Sequence, residues 1–403
     1  MLLLYNLSIR IYGLVVRLVA LWNGKARLFI RGRQDVWKNI AAGVNPSQKH
    51  VWLHFPSLGE FEQGRPVLEA LKAAAPAKPI LITFFSPSGY EIRKNYPLAD
   101  GVFYLPLDSA RNARRLIDAF NPEMAIFVKY DYWYHYFREL SRRQIPLYMV
   151  SAIFRQNQVY FKWYGGFNRH ILKAVSWFFL QNQESVALLR GLGFSNLSLA
   201  GDTRFDRVAA HAAAPAEIPE VELFAAGHPV LIAGSTWPPD EKLLAGLMQK
   251  QNAWKMVLAP HEIGEAHISD LKKRFPDALL FSAYSAARAA AARVLIIDNI
   301  GMLSSLYRYG KIAYIGGGFG AGIHNTLEAA AFGLPVIYGP NDHKFQEAKD
   351  LRAAGAARRI TDENSLRSAF DFFAAEGAAG ERAREYVQRH TGATQAILRK
   401  ILV

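Results

Sequence analysis

The sequence predicts an α/β protein made of two doubly wound parallel sheets with a membrane-associating helix in front of them. Three observations carry that prediction. Short apolar runs alternate with helical patterns along most of the 403 residues, the signature of parallel sheets flanked by helices. The alternation breaks once, in the Ala/Pro-rich stretch RVAAHAAAPAEIPEVELFAAGHP, and then resumes, which marks a linker between two domains. The first residues, MLLLYNLSIRIYGLVVRLVALWN, are mostly apolar yet hold Arg10 and Arg17 inside the run.

That N-terminal stretch comes first. A signal peptide would carry its charge ahead of the apolar core and a small-residue cleavage site after it. Here the arginines lie inside and no such site follows. At helical spacing Asn6, Arg10 and Arg17 fall within about 40° of one another, which predicts a helix lying in a membrane interface with snorkelling arginines. A helix buried against its own domain gives the same pattern. A span would place two arginines at costly depth. No other stretch is long and apolar enough to cross a bilayer.

Next come the strands of the first half: His50 to Phe55, Pro79 to Phe85, Gly101 to Leu105, Met124 to Val128 and Leu147 to Ser151. Helices Gly59 to Ala74, Gly89 to Tyr96 and Ser109 to Phe120 alternate with them. In the second half the strands are Val230 to Ala233, Lys255 to Ala259, Ala278 to Phe281, Val294 to Asp298, Lys311 to Ile315 and Pro335 to Tyr338. They are apolar on both faces, so helices should cover both sides. The division is an anchor at 1–22, a first α/β domain at 23–207, a linker at 208–227, a second α/β domain at 228–381 and a final helix at 382–403. That helix, Arg382 to Leu402, is expected to pack back on the first domain. Ligands of such sheets bind beyond the carboxyl ends of the strands, so two facing domains would share one cleft.

Composition narrows the function. Half the residues are hydrophobic, so the chain is globular, and the absence of cysteine excludes disulfides, zinc–thiolate sites and thiol catalysis. A formal charge of +14 implies a polyanionic partner. The basic residues are scattered without a Lys/Arg block or a nucleic-acid motif, which favours an anionic membrane surface or a phosphorylated substrate over nucleic acid.

The densest motif is GGGFGAGIHNTLEAAAFGLPVIYGP, Gly316 to Pro340. It reads as a glycine loop between a strand and a helix running from Ile323 to Phe332, an arrangement suited to an anion. Gly316, Gly318 and Ala321 fit G-x-G-x-x-A, but Tyr338-Gly339-Pro340 stands where a dinucleotide fold needs its acidic residue. No P-loop occurs. Asn325 and Glu328 share a face, and Glu328 suits ribose hydroxyls; an ordinary glycine turn reads equally well from these residues alone. Elsewhere, Glu60 stands at a strand's carboxyl end in HFPSLGEFEQGRP, where a first-turn helix glutamate is also favoured by the macrodipole. AGSTWPPDE offers Ser235 and Thr236 to an anion, and LAPHEIGE offers His261. His261 and His267 are six apart, not the four that a metalloprotease helix needs, so no metal is expected.

FPSLGE, AGSTWPPDE, LAPHE and above all GGGFGAGIHNTLEAAAFGLPVIYGPNDHKFQE resemble the 3-deoxy-D-manno-octulosonic acid (Kdo) transferases of lipopolysaccharide synthesis, from the N-terminus to about Lys349. The resemblance implies a GT-B glycosyltransferase, inverting, without metal or other cofactor, associated with the cytoplasmic face of the inner membrane. It implies CMP-Kdo as donor and a lipid A precursor as acceptor. Carried over, Glu60 matches the general base. Gly234, Ser235, Thr236, Pro260, His261 and the loop glycines Gly316, Gly317, Gly318, Gly320 and Gly322 match the nucleotide site, with Asn325 and Glu328. The glycines would then let the nucleotide phosphate approach the backbone. The family's E-x-E-L-W-P-N is KYDYWYHY here: Lys129 replaces the first carboxylate, and Asp131 keeps the second, so Asp131 joins Glu60 as a catalytic candidate. The basic residue of K-F-D is Arg204, and with Lys129 it is an acceptor-binding candidate. His261 stands where many members have Arg. The remaining readings are a GT-B enzyme acting on a UDP-sugar, as lipid glycosyltransferase or epimerase, and a membrane-docked basic protein without catalysis.

Overall fold

The computed structural model describes residues 1–402, which divide into two compact units: 1–206 with 392–402, and 207–391. In the first unit the strands are β1 (His50–Phe55), β2 (Ile80–Phe84), β3 (Gly101–Tyr104), β4 (Pro122–Val128), β5 (Leu147–Ala152), β6 (Trp177–Leu180) and β7 (Leu197–Leu199). All pairings are parallel, in the order β3-β2-β1-β4-β5-β6-β7. Every residue of β1 and β2 is buried, as strands covered on both faces require. Trp52, Phe127 and Met149 enter one core layer, and Val51, Leu53, Phe55 and Ile126 the other.

The second unit repeats the plan with β8 (Val230–Thr236), β9 (Lys255–Pro260), β10 (Leu279–Leu280), β11 (Val294–Ile296), β12 (Ile312–Ile315), β13 (Val336–Tyr338) and β14 (Ala357–Arg359). These too are parallel, in the order β10-β11-β9-β8-β12-β13-β14. In each sheet the order reverses beside the first strand, at β1/β4 and at β8/β12, and the second sheet reverses again at its edge, where β10 lies outside β11. Such switch points open a crevice at the strands' carboxyl ends.

Four local expectations change. The stretch expected as a linker at 208–227 is largely helical. Thr203–Ala213 runs through its start, and Pro219–Ala225 buries Val221 and Phe224 in the second unit. The expected final helix is two, Ala379–Arg389 and Ala393–Ile401, parted by Gly392 at φ 108°. The second of them belongs to the first unit: Ile397, Leu398 and Ile401 enter its core beside the helix Leu58–Ala74, and Asp206 accepts from the Gly392 and Thr394 amides. The helix expected at Ile323 to Phe332 spans only Leu327–Ala331.

The N-terminal helix, Leu2–Val19, has a different polar side from the expected one. Asn6 faces the domain, where it meets His135 at 2.7 Å. Tyr5 donates to Asp108 at 2.6 Å and accepts from the Tyr134 amide, and Tyr12 stacks on Phe85. The opposite face, Leu3, Leu4, Leu7, Ile11, Leu14 and Leu18, is exposed, as are Arg10 and Arg17. Among the described residues this is the one helix long and apolar enough to cross a membrane.

Candidate active site

At the first switch point β1 leads through Pro56 and Ser57 into the helix Leu58–Ala74. Ser57 caps that helix by accepting from the Gly59 amide at 3.2 Å, and its hydroxyl donates to Glu60. The cap thus holds the carboxylate in the first turn. Beyond the neighbouring β4 the chain turns sharply at Lys129, whose φ of 65° is left-handed, a conformation non-glycine residues adopt at a cost. The turn brings the Lys129 ammonium 3.9 Å from Glu60. Two residues on, Asp131 meets His54 of β1 at 2.9 Å. Glu60, Lys129 and Asp131 therefore gather at one crevice. Arg204 opens the helix Thr203–Ala213 and closes on Asp202 at 2.8 Å.

At the second switch point the site is built from backbone. Ser235 adopts φ 54° where β8 ends. Thr236 is fully buried and donates to Glu241 at 3.1 Å, so its hydroxyl faces inward rather than toward an anion. The glycines have a different reason from the expected one. A Cβ on Gly316 would run into the Ser235–Thr236 backbone, and one on Gly318 would come within 2.6 Å of Gly339. Gly317 and Gly322 have φ of 89° and 143°. Only Gly320 combines exposure with open space, its nearest neighbour being Gly317 O at 3.6 Å. Most of the cluster therefore serves close backbone packing and left-handed turns, and the loop's own shape is what those glycines make possible.

Asn325 and Glu328 meet: the Asn325 amide donates to the Glu328 carboxylate at 3.0 Å, and its carbonyl oxygen accepts from the Leu327 amide. Pro260 ends β9, and the His261 amide returns to Thr236 O at 2.9 Å. The His261 ring is exposed and lies between two others, 4.7 Å from Trp237 and 4.4 Å from His324. Burial first, then the neighbouring His261, push the His324 imidazole down to about 4. Its Nε2 is thus free to accept from Trp237 Nε1 at 3.2 Å. His267 turns elsewhere, to Glu241 at 3.0 Å. Among the described residues no group of three His, Asp or Glu side chains is arranged to hold a metal ion.

Two buried side chains that brace these sites escaped the sequence reading. Asp240 is fully buried and accepts from the Trp237 and Gly317 amides and from Tyr314 at 2.7 Å, bracing the glycine loop from below. Burial, then the charge of Asp240, raise the Tyr314 hydroxyl well above its ordinary value, which keeps it a donor. An acidic residue in a helix's first turn after two prolines signals a cap, and nothing more specific. His54 read as a strand residue.

A family model described as 3-deoxy-D-manno-octulosonic-acid transferase (kdotransferase) matches residues 27–207. A 3-deoxy-D-manno-octulosonic acid transferase of Aquifex aeolicus is 26% identical over 332 residues, 78% of this chain and 83% of the relative. One of Bordetella pertussis is 27% identical over 394 residues, 88% of this chain and 87% of the relative. Among solved structures, a UDP-GlcNAc 2-epimerase from Neisseria meningitidis superposes with a TM-score of 0.62 at 15% identity, covering 88% of this chain and 99% of that one. The glycotransferase of kitacinnamycin does so at 0.53 and 13%, covering 87% and 97%. These share the fold, two parallel-sheet units of the GT-B kind. Residues 27–207 carry the match to that family, and relatives of the one name match most of the chain's length, which makes it a glycosyltransferase similar throughout to the 3-deoxy-D-manno-octulosonic acid transferases.

Proposed function

We propose that the protein transfers Kdo from CMP-Kdo to a hydroxyl of a lipid A precursor, with inversion at the anomeric carbon. The observation that carries this reading is the pair of switch-point sites: ionisable side chains at β1/β4, and a glycine loop with the Asn325–Glu328 pair at β8/β12. Glu60 takes the proton of the acceptor hydroxyl as its oxygen bonds to the anomeric carbon. The bond from that carbon to the CMP phosphate breaks, and backbone amides around Gly316 to Gly322, with Ser235, receive the departing charge. Glu328 accepts from the ribose hydroxyls, and Asn325 holds it in place. Lys129 and Arg204 face the anionic groups of the acceptor, and His261 takes the place of a fixed cation beside the nucleotide.

The N-terminal helix lies on the anionic leaflet at the cytoplasmic face of the inner membrane. Its domain side is fixed by Tyr5 and Asn6, and its exposed leucines enter the acyl boundary with Arg10 and Arg17 at headgroup level. Leu14→Glu should abolish sedimentation with anionic vesicles and leave the fold intact; binding that survives would remove the anchor role. The transfer itself is tested by mass spectrometry of a lipid A precursor incubated with the protein and CMP-Kdo. A gain of Kdo mass supports the reading, and turnover of a UDP-sugar instead would replace it.

A further inference from the structure

His54 is a histidine in the middle of a sheet, fully buried, with both ring nitrogens engaged. Nδ1 lies 2.9 Å from Thr83 Oγ1 on β2, and Nε2 lies 2.9 Å from Asp131 beyond β4. Thr83 is itself fully buried and accepts from Trp52 Nε1 at 2.9 Å. A hydroxyl has one proton and two lone pairs. With Trp52 donating to one lone pair, the Thr83 proton is directed at His54 Nδ1, so that Nδ1 accepts and the ring's own proton sits on Nε2, donating to Asp131. The opposite tautomer would set a bare nitrogen against a carboxylate. Four side chains from three strand positions and one loop thus form a single directed chain, Trp52 to Thr83 to His54 to Asp131. Only the last of them reaches solvent, with 18% of its side chain exposed.

We propose that His54 is a positioning residue of the acceptor site. Locked in the Nε2–H tautomer, it fixes one oxygen of Asp131 and turns the other toward a hydroxyl of a sugar acceptor. This rests on the reading that the acceptor sugar binds at the β1/β4 crevice. A carboxylate beyond the sharp turn at Lys129 has no strand to hold it; the buried histidine supplies the fixed point. The division of labour follows. Glu60, held by Ser57 and facing Lys129, takes the proton, and Asp131 orients the sugar by hydrogen bonds that do not change during the reaction.

The test uses the full chain and reads the tautomer directly. Long-range ¹H–¹⁵N NMR should give Nε2–H at His54. Thr83→Val keeps the shape and removes the directing proton, so the tautomer should become mixed. Outer partners of metal ligands account for about 10–100-fold in activity; a drop of the same order in kcat is expected here, at unchanged KM for the CMP-sugar. Thr83→Ser should restore both. A glucosamine disaccharide, added without donor, should shift the His54 ring nitrogens in the parent protein and leave them in place in Asp131→Asn. Nδ1–H or a doubly protonated ring in the parent protein overturns the lock. Normal kcat in a folded Thr83→Val, or no disaccharide shift, overturns the positioning role. Should the parent protein transfer nothing yet show the tautomer and the disaccharide shift, the proposed reaction fails and the sugar-positioning site stands.

Discussion

The two switch points occupy equivalent places in their sheets and are built in opposite ways. At β1/β4 the proposed chemistry is carried by side chains: Glu60, Lys129 and Asp131, fixed by Ser57 and His54. At β8/β12 it is carried by main chain, shaped by glycines that touch other backbone and braced by buried Asp240. A site of side chains is broken one group at a time and keeps its fold. A site of backbone is broken only by changing its shape.

The largest expected effect is at the side-chain site. Glu60→Gln keeps the size and removes the proton acceptor. Transfer should fall by about 10²–10⁴-fold, with CMP affinity at the parent value. Equal loss of both would assign Glu60 to binding, and near-normal transfer with an inactive Asp131→Asn would move the base to Asp131. A side-chain contribution expected at the backbone site is next. Glu328→Ala should weaken CMP by about 1.5–3 kcal/mol, the value of a hydrogen bond to a charged group, read by calorimetry; unchanged affinity would move the ribose elsewhere.

Shape itself is tested by two alanines. In Gly318→Ala the new Cβ meets Gly339 at 2.6 Å, and overpacking of that kind costs about 1–3 kcal/mol. Both thermal stability and CMP affinity should drop. Gly320→Ala makes only an ordinary contact, with Gly317 O at 3.6 Å, and should leave the melting temperature unchanged. Equal melting of the two variants would refute the backbone-packing account of the loop.

The smallest effects are in pH dependence, where the units should differ in sign. Burial pushes the Asp108 carboxyl up to about 6, against Tyr5 and the His135 and Tyr136 amides. Between about 6 and the ordinary carboxylate value the folded state binds a proton that the unfolded state releases, so Asp108 adds stability as pH falls through that window. His324, pushed down to about 4, does the reverse: the unfolded state takes the proton first, and stability is lost as pH falls from its ordinary value toward 4. Subtracting Asp108→Asn and His324→Gln melting curves from the parent's between about pH 4 and 7 should give slopes of opposite sign; slopes of the same sign would overturn one assignment.

The contrast also explains what was legible. Strand ends and motif spacing put Glu60, Asn325 and Glu328 in place because those signals are local. The glycines were legible as a cluster but not in purpose: whether a missing Cβ makes room for a ligand or for another strand depends on chain far away in sequence, at Ser235 and Thr236. His54 and Asp240 were hidden for a related reason. Each is a lone polar residue whose partners, Thr83 with Asp131 and Tyr314 with Gly317, come from other strands or the loops that follow them. Strands β6, β7 and β14 are three or four residues long, too short for periodicity to separate from loop. Asn6 was read with the arginines because helical spacing records angle but not which side the protein occupies.

The helix Ala393–Ile401 has a consequence for how the chain matures. It completes the core of the first unit although the whole second unit precedes it in sequence. During synthesis, residues 1–206 must therefore wait with an open apolar groove beside the helix Leu58–Ala74 while residues 207–391 emerge and fold. The unit that begins first is closed last, and the residues that leave the ribosome after the second unit are the ones that seal it.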